Sequence, residues 1–284
     1  MHSSDWHITE DVEEFASRAG LFLHSRPVAH TMVLTITEAL RAAGSEAYGP
    51  GTPVLGWLER AGAVEAACLR TPHRHLNLTP VPPEHAELLA SRLAGLGHRL
   101  PGVSAEETTA AAFADAWRRR SGTAPVLRGR QRLYRLGRLA SPRSRPAGLP
   151  RVAGERDRDL LIRWNRSFAA AIGDPHRRDS GNRTAALGPG RRFMIWEDPD
   201  GTPVSMAGVT PVVAGQARVA PVYTPGRFRG RGYAGAVTAE VSRAARVAGA
   251  TEVVLFADRA DPIVNRLYGR LGYVPVADFA RYGF

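Results

Sequence analysis

Lysine is missing from this chain of 284 residues, so all 38 of its Lys-or-Arg positions are arginine. That absence excludes a Walker phosphate loop, which needs Gly-Lys-Ser/Thr. A single cysteine, Cys68, excludes an intramolecular disulfide and leaves too few thiols for a structural zinc site; a reducing compartment fits. Cys68 stands in the apolar-leaning run Ala66-Ala67-Cys68-Leu69 and reads as a buried, inert thiol. His73, His75 and the other histidines show no metal-ligand spacing, so no metal is expected. Long apolar runs are also missing. The start, "MHSSDWHITEDVEEFASRAG", has no basic n-region, and no later stretch approaches the length of a membrane span; a cytoplasmic protein is expected.

What is present suits a folded chain. Apolar residues make up 44% of the composition, enough for a proper core, and the net charge is +11. The charge is uneven. Residues 118 to 145 hold ten arginines and no acid, whereas residues 1 to 50 hold seven acids and three arginines.

The stretch "LASPRSRPAGLP", 139 to 150, is rich in Pro, Ser, Gly and Arg and has neither helical nor strand periodicity. It reads as an exposed connector, dividing the chain into 1–140, a linker 141–150, and 151–284. After it comes a helical pattern over 160–172, then "RRFMIWE" and "TPVSMAGVTPVV" joined across Asp198-Pro199-Asp200-Gly201, a hairpin signal. The strand "ARVAPVYTP" follows, then a glycine segment and a helix running to about Val247. A short buried strand, "TEVVLFAD", leads to "DPIVNRLYGRLG", with Asp261 as N-cap, Pro262 at the first helical position and Gly272 as terminator. A last strand or strand pair closes the chain. The first half repeats this order weakly: helices, a hairpin over 52–70, then strand, Thr-Pro, loop and helix in "HLNLTPVPPEHAELLASRLAGLG", a helix from Ser104, and a strand over 124–139.

The segment "TPGRFRGRGYAGAV", 224 to 237, puts glycines and arginines at the mouth of a helix. The first N–H groups of a helix lack intrahelical partners and the dipole makes that end positive. Glycine lets the backbone approach a bulky anion closely. A pyrophosphate cradle results, and flanking arginines add charge. A dinucleotide fingerprint, G-x-G-x-x-G after the first strand of a parallel unit, is set aside because Ala234 and Gly235 after Gly230-Arg231-Gly232 read as wrongly spaced. The pattern Arg/Gln-x-x-Gly-x-Gly/Ala is filled by Arg227-Phe228-Arg229-Gly230-Arg231-Gly232.

With these residues the chain resembles the GNAT N-acetyltransferases, over roughly 150 to 284. The likeness continues through "VVLFAD", "NRLYGRLGY" and the closing strands. The fold it implies is α/β: two tandem GNAT-like domains, each a mixed, mostly antiparallel sheet flanked by helices. It implies acetyl-CoA as cosubstrate and an amine as acceptor, a small molecule or a peptide. Val222, Tyr223 and Thr224 would lie along the pantetheine arm, and the backbone from Arg227 through Phe228, Arg229, Gly230, Arg231, Gly232 and Tyr233 to Ala234 would hold the pyrophosphate. Asn265 matches a residue that contacts the CoA arm, and Tyr268 the proton donor to the departing thiolate. Three apart, they share a helix face.

No acid lies on the strand 217–224 to serve as general base; Asp258, Asp174, His176, Asp179, Glu197 and Asp198 each read as turn or cap residues. In the first half the matching loop is "TPVPPEHAELLA". Pro82 and Pro83 remove donors, and Glu84 and Glu87 would repel phosphate, so this half reads as a degenerate copy without a cofactor site. Two other functions compete: an acyl-CoA-binding sensor of the same fold, and a nucleic-acid-binding protein using the 118–145 tract. That tract lacks a nucleic-acid motif, and "RGRQRLYRLGR" reads as a strand with one solvated arginine face, which weighs against nucleic acid.

Overall fold

The computed structural model describes residues 5–142, 145–173 and 187–284. Its contacts divide the chain into two compact units. The first holds Met1–Leu133, Asp258–Ala260 and Ala277–Phe284; the second holds Tyr134–Ala257 and Asp261–Val276.

In the first unit, the strand β1 (Asp5–Thr9) leads to the helices α1 (Val12–Ser25) and α2 (Thr31–Ala43). Asp11 caps α1, its carboxylate accepting from the Glu13 and Glu14 amides. The expected hairpin forms as β2 (Val54–Arg60) and β3 (Ala63–Arg70). Then come β4 (Leu76–Leu78), α3 (Pro83–Gly95), β5 (Gly102–Glu106), α4 (Glu107–Ser121) and most of β6 (Val126–Leu136). The helix expected from Ser104 begins only at Glu107, because Gly102–Glu106 are drawn into the sheet. The core is sealed by Trp6, Leu58, Leu76, Leu89, Leu93 and Phe113.

The second unit opens on β7 (Leu149–Val152), so the expected connector ends in an edge strand paired with β8 (Arg192–Glu197). Between them lies α5 (Arg158–Ala171). β8 turns into β9 (Pro203–Val209) through Asp198, whose Oδ1 accepts from the amides of Asp200 and Thr202. Next come β10 (Gln216–Tyr223), α6 (Tyr233–Val247), β11 (Glu252–Asp258), α7 (Pro262–Arg270) and the start of β12 (Tyr273–Gly283). The strand order is β11-β10-β9-β8-β7, antiparallel except for β10 with β11. α6 packs on β8, β9 and β10, and α5 on β10. The element order of the first unit recurs in the second, with α5 as the one described helix where the first has α1 and α2, and in both the strands flanking the next-to-last helix pair in parallel.

The units are not the sequence halves 1–140 and 151–284. Residues 277–284 of the last strand belong to the first unit. There they pair antiparallel with β5, from Phe279 opposite Glu106 to Gly283 opposite Gly102. The approach is so close that a Cβ on Gly102 would stand 2.1 Å from the Tyr282 carbonyl oxygen. Phe284 then stacks on Trp117, ring centroids 5.8 Å apart, and its amide donates to Pro101. Conversely, Tyr134 and Leu136 of β6 are buried in the core of the second unit. Ladder pairing and aromatic burial decide this exchange, and neither leaves a local mark in the sequence.

Candidate functional site

β10 builds one side of the site. Its parallel ladder with β11 covers only Gln216–Arg218 opposite Glu252–Val254. Beyond that point the two strands share no ladder pairing among the described residues. On its other side β10 pairs with β9, but the register shifts between Val219 and Val222. Such a bulge bends a strand and sharpens its twist, which suits strands that part. The Arg191 guanidinium donates to the Ala220 carbonyl inside the bulge. Thus Val222, Tyr223 and Thr224 stand where the strands separate. Val222 packs against the α6 side, and Tyr223 meets Trp164 of α5 on the opposite face at 6.1 Å between rings.

The loop after β10 is held by its own polar groups. Ser205 of β9, fully buried, places its Oγ 2.8 Å from the Thr224 Oγ1 and donates to the Tyr223 carbonyl at 3.2 Å. Arg229 curls back, its Nε donating to the Thr224 carbonyl at 3.0 Å. Gly226–Phe228 form one tight turn, with the Arg227 guanidinium over the Phe228 ring. Arg227, Arg229 and Arg231 are exposed.

Gly230 and Gly232 both have positive φ, +77° and +85°, which other residues rarely adopt. Gly232 caps α6 with no side chain, and the first turn of α6 carries no acid. No side chain of its own first turn therefore neutralises its amide dipoles. A Cβ on Gly230 would find nothing within 4 Å among the described residues, so there is free space beside this backbone. Contrary to the sequence reading, Gly230, Gly232 and Gly235 do satisfy the G-x-G-x-x-G spacing. Spacing and the local β10-α6-β11 unit, whose strands are parallel, do not separate this loop from a dinucleotide site; the rest of the sheet does, since β7 to β10 are all antiparallel rather than doubly wound.

Asn265 and Tyr268 project from α7, whose N-cap is Asp261 accepting from the Ile263 and Val264 amides. Tyr268 is buried, with Tyr134 and Tyr273 rings 6.4 and 5.9 Å away. Burial, then the neighbouring Tyr273 and Asp261, raise its pKa above the usual phenol value. Its hydroxyl keeps its proton at neutral pH, and no described residue hydrogen-bonds it. Tyr273 bonds Ser242 at 2.7 Å. Tyr134, Ser205 and Arg191 are the residues that sequence reasoning missed. A lone hydroxyl amid the apolar strand "PVSMAGV" was a signal for Ser205; nothing local marked the other two.

Of the acids weighed as bases, Asp258 accepts from Ala260 in a turn and Glu197 accepts from Arg151. Asp174, His176 and Asp179 lie outside the described residues. Cys68 is fully buried, and burial alone raises its pKa. Among the described residues no three His, Cys, Asp or Glu gather as metal ligands, and no helix is long and apolar enough to cross a membrane. In the arginine tract, Arg118, Arg119, Arg130, Arg132 and Arg135 all meet carboxylates.

Residues 158–273 match the acetyltransferase (GNAT) family. The second unit carries a GNAT-family domain. Acyl-CoA-dependent acetyl transfer is that family's general chemistry. Solved structures agree on the fold. A tandem GNAT protein from the clavulanic acid biosynthesis pathway is 13% identical, with a TM-score of 0.60 over 99% of this chain and 98% of that one. A GCN5-related N-acetyltransferase from Sphaerobacter thermophilus is 16% identical, with a TM-score of 0.56 over 98% and 94%. Another from Kribbella flavida is 21% identical, with a TM-score of 0.54 over 77% and 86%. No curated protein matches the chain by sequence. At these identities the likeness concerns the fold, and the GNAT domain's substrate is a separate question.

Proposed function

We propose that the chain transfers an acetyl group from acetyl-CoA to a primary amine by direct attack. The observation that carries this is the open helix mouth at Gly230–Tyr233, set beside the parting of β10 and β11. The α6 amides and the backbone from Arg227 to Ala234 would hold the pyrophosphate, with Arg227, Arg229 and Arg231 supplying charge. The freed edge of Val222–Thr224 would take the pantetheine arm, and Asn265 would meet it from α7. Tyr268 would protonate the departing thiolate: burial keeps its phenol protonated at neutral pH, so a proton is present where the thiolate would form.

The first unit would bind no cofactor. At its matching helix, Glu84 lies in the first turn and Pro82 is the N-cap. The Val81 amide and carbonyl are both taken by Thr109 Oγ1. The test is thiol release from acetyl-CoA against a screen of amines, polyamines, aminoglycosides and peptide N-termini. Release with any one of them supports transfer. Binding of acetyl-CoA without release would make the chain an acyl-CoA sensor instead.

A further inference from the structure

We propose that Tyr134 is a positioning residue for the α7 side of the site, although it precedes the connector and lies 131 residues before Asn265. This rests on the proposed binding of acetyl-CoA beside α7. The Tyr134 hydroxyl stands 2.7 Å from Asn265 Oδ1. Its direction is decided by the other end of the amide, where Nδ2 donates to the Asp261 carbonyl at 2.5 Å. A carbonyl can only accept, so the amide cannot flip; Oδ1 must face Tyr134, and Tyr134 must donate. The same ring lies 6.4 Å from that of Tyr268. One buried side chain thus touches both functional candidates of α7.

The residues after Tyr134 hold the far end of the helix. Gly137 and Ala140 donate through their amides to the Gly272 and Leu271 carbonyls at 2.9 and 3.1 Å. Arg246, in the last turn of α6, donates to the Leu136 and Gly137 carbonyls at 3.2 and 2.8 Å. α7 is therefore gripped at Asn265 and again at its C-terminus by one segment, 134–140. A nine-residue helix has little stability of its own, so its orientation comes from such contacts. Tyr134 acts through Asn265 and has no role at the reacting atoms.

The experiment uses the full chain and CoA as the probe, with Y134F, N265A, the double variant and W196F. Phenylalanine keeps the ring and removes only the donor. Y134F is expected to weaken CoA binding about tenfold by calorimetry. The double variant is expected to bind no more weakly than N265A, because the two residues act in series. W196F, in the same core but outside the gripping segment, lowers the melting temperature but leaves the affinity of the folded protein unchanged. Wild-type affinity in Y134F, additive losses in the double variant, or a Y134F chain that does not fold would each overturn the positioning role while CoA binding by the wild type stands. A wild-type chain that fails to bind CoA would remove the proposed function and this role with it.

Discussion

Gly235 of α6 and Leu267 of α7 meet so closely that a Cβ on the glycine would stand 3.0 Å from Leu267 Cδ1. This contact sets the spacing of the two helices that carry the candidate site. Gly235→Val would force them apart or displace Leu267, an overpacking cost of about 1–3 kcal/mol. Denaturant unfolding should show it as a lower midpoint. An unchanged midpoint would mean that the helices part freely.

The glycine loop should govern ligand binding. At about 100 times its dissociation constant, acetyl-CoA is expected to stabilise the wild type by roughly 2.7 kcal/mol. Gly230→Asp and Gly232→Glu place a carboxylate at the helix mouth, on a backbone of positive φ. Both should abolish the thermal shift with CoA. A variant that keeps the full shift would put the site elsewhere.

Tyr268→Phe should slow turnover by about 10²–10⁴-fold with CoA affinity little changed. An unaltered rate would make Tyr268 a packing residue. The raised pKa adds a stability prediction. The unfolded phenol ionises near pH 10, whereas the buried one holds its proton higher, so stability falls as pH rises past about 10. Phenylalanine cannot ionise and should flatten part of that fall; Tyr273, also raised by burial, accounts for more of it.

Asp157, buried at the start of α5, accepts from Arg151 at 2.6 and 2.7 Å and from the Gly154 amide at 2.8 Å. The Arg151 guanidinium chiefly holds its pKa below the usual carboxylate value. Its contribution is complete above the ordinary aspartate pKa of about 4 and is lost as pH falls through the lowered value. Asp157→Asn should cost about 1–3 kcal/mol at neutral pH and flatten the acid limb of a melting-temperature profile. An acid limb unchanged from wild type would count against it.

Cutting the chain at the connector should damage the second unit. A fragment of residues 150–284 lacks Tyr134 and Leu136, two buried members of that unit's core. It should melt well below a fragment starting at residue 126 and bind CoA more weakly. In the intact chain, calorimetry should give one CoA per molecule, displaced entirely by Gly230→Asp. Two equivalent sites would show that the first unit also binds.

The sequence determined whatever depends on neighbours along the chain. Asp261, Pro262 and Gly272 bound α7 because capping and termination need only a few residues. Asp198–Gly201 made a turn, and the glycines before Tyr233 marked an open helix mouth, for the same reason. Tertiary structure alone decided which strand pairs with which. β5 is a strand because β4 and the last residues of β12 give its backbone partners; taken alone, "SAEETTAAAFADAW" reads as one helix. The parting of β10 from β11, the pairing of Ser205 with Thr224, and the bond from Tyr134 to Asn265 join groups far apart in the chain. Each side chain meets its partner only after the sheets have assembled, so no local pattern could announce it.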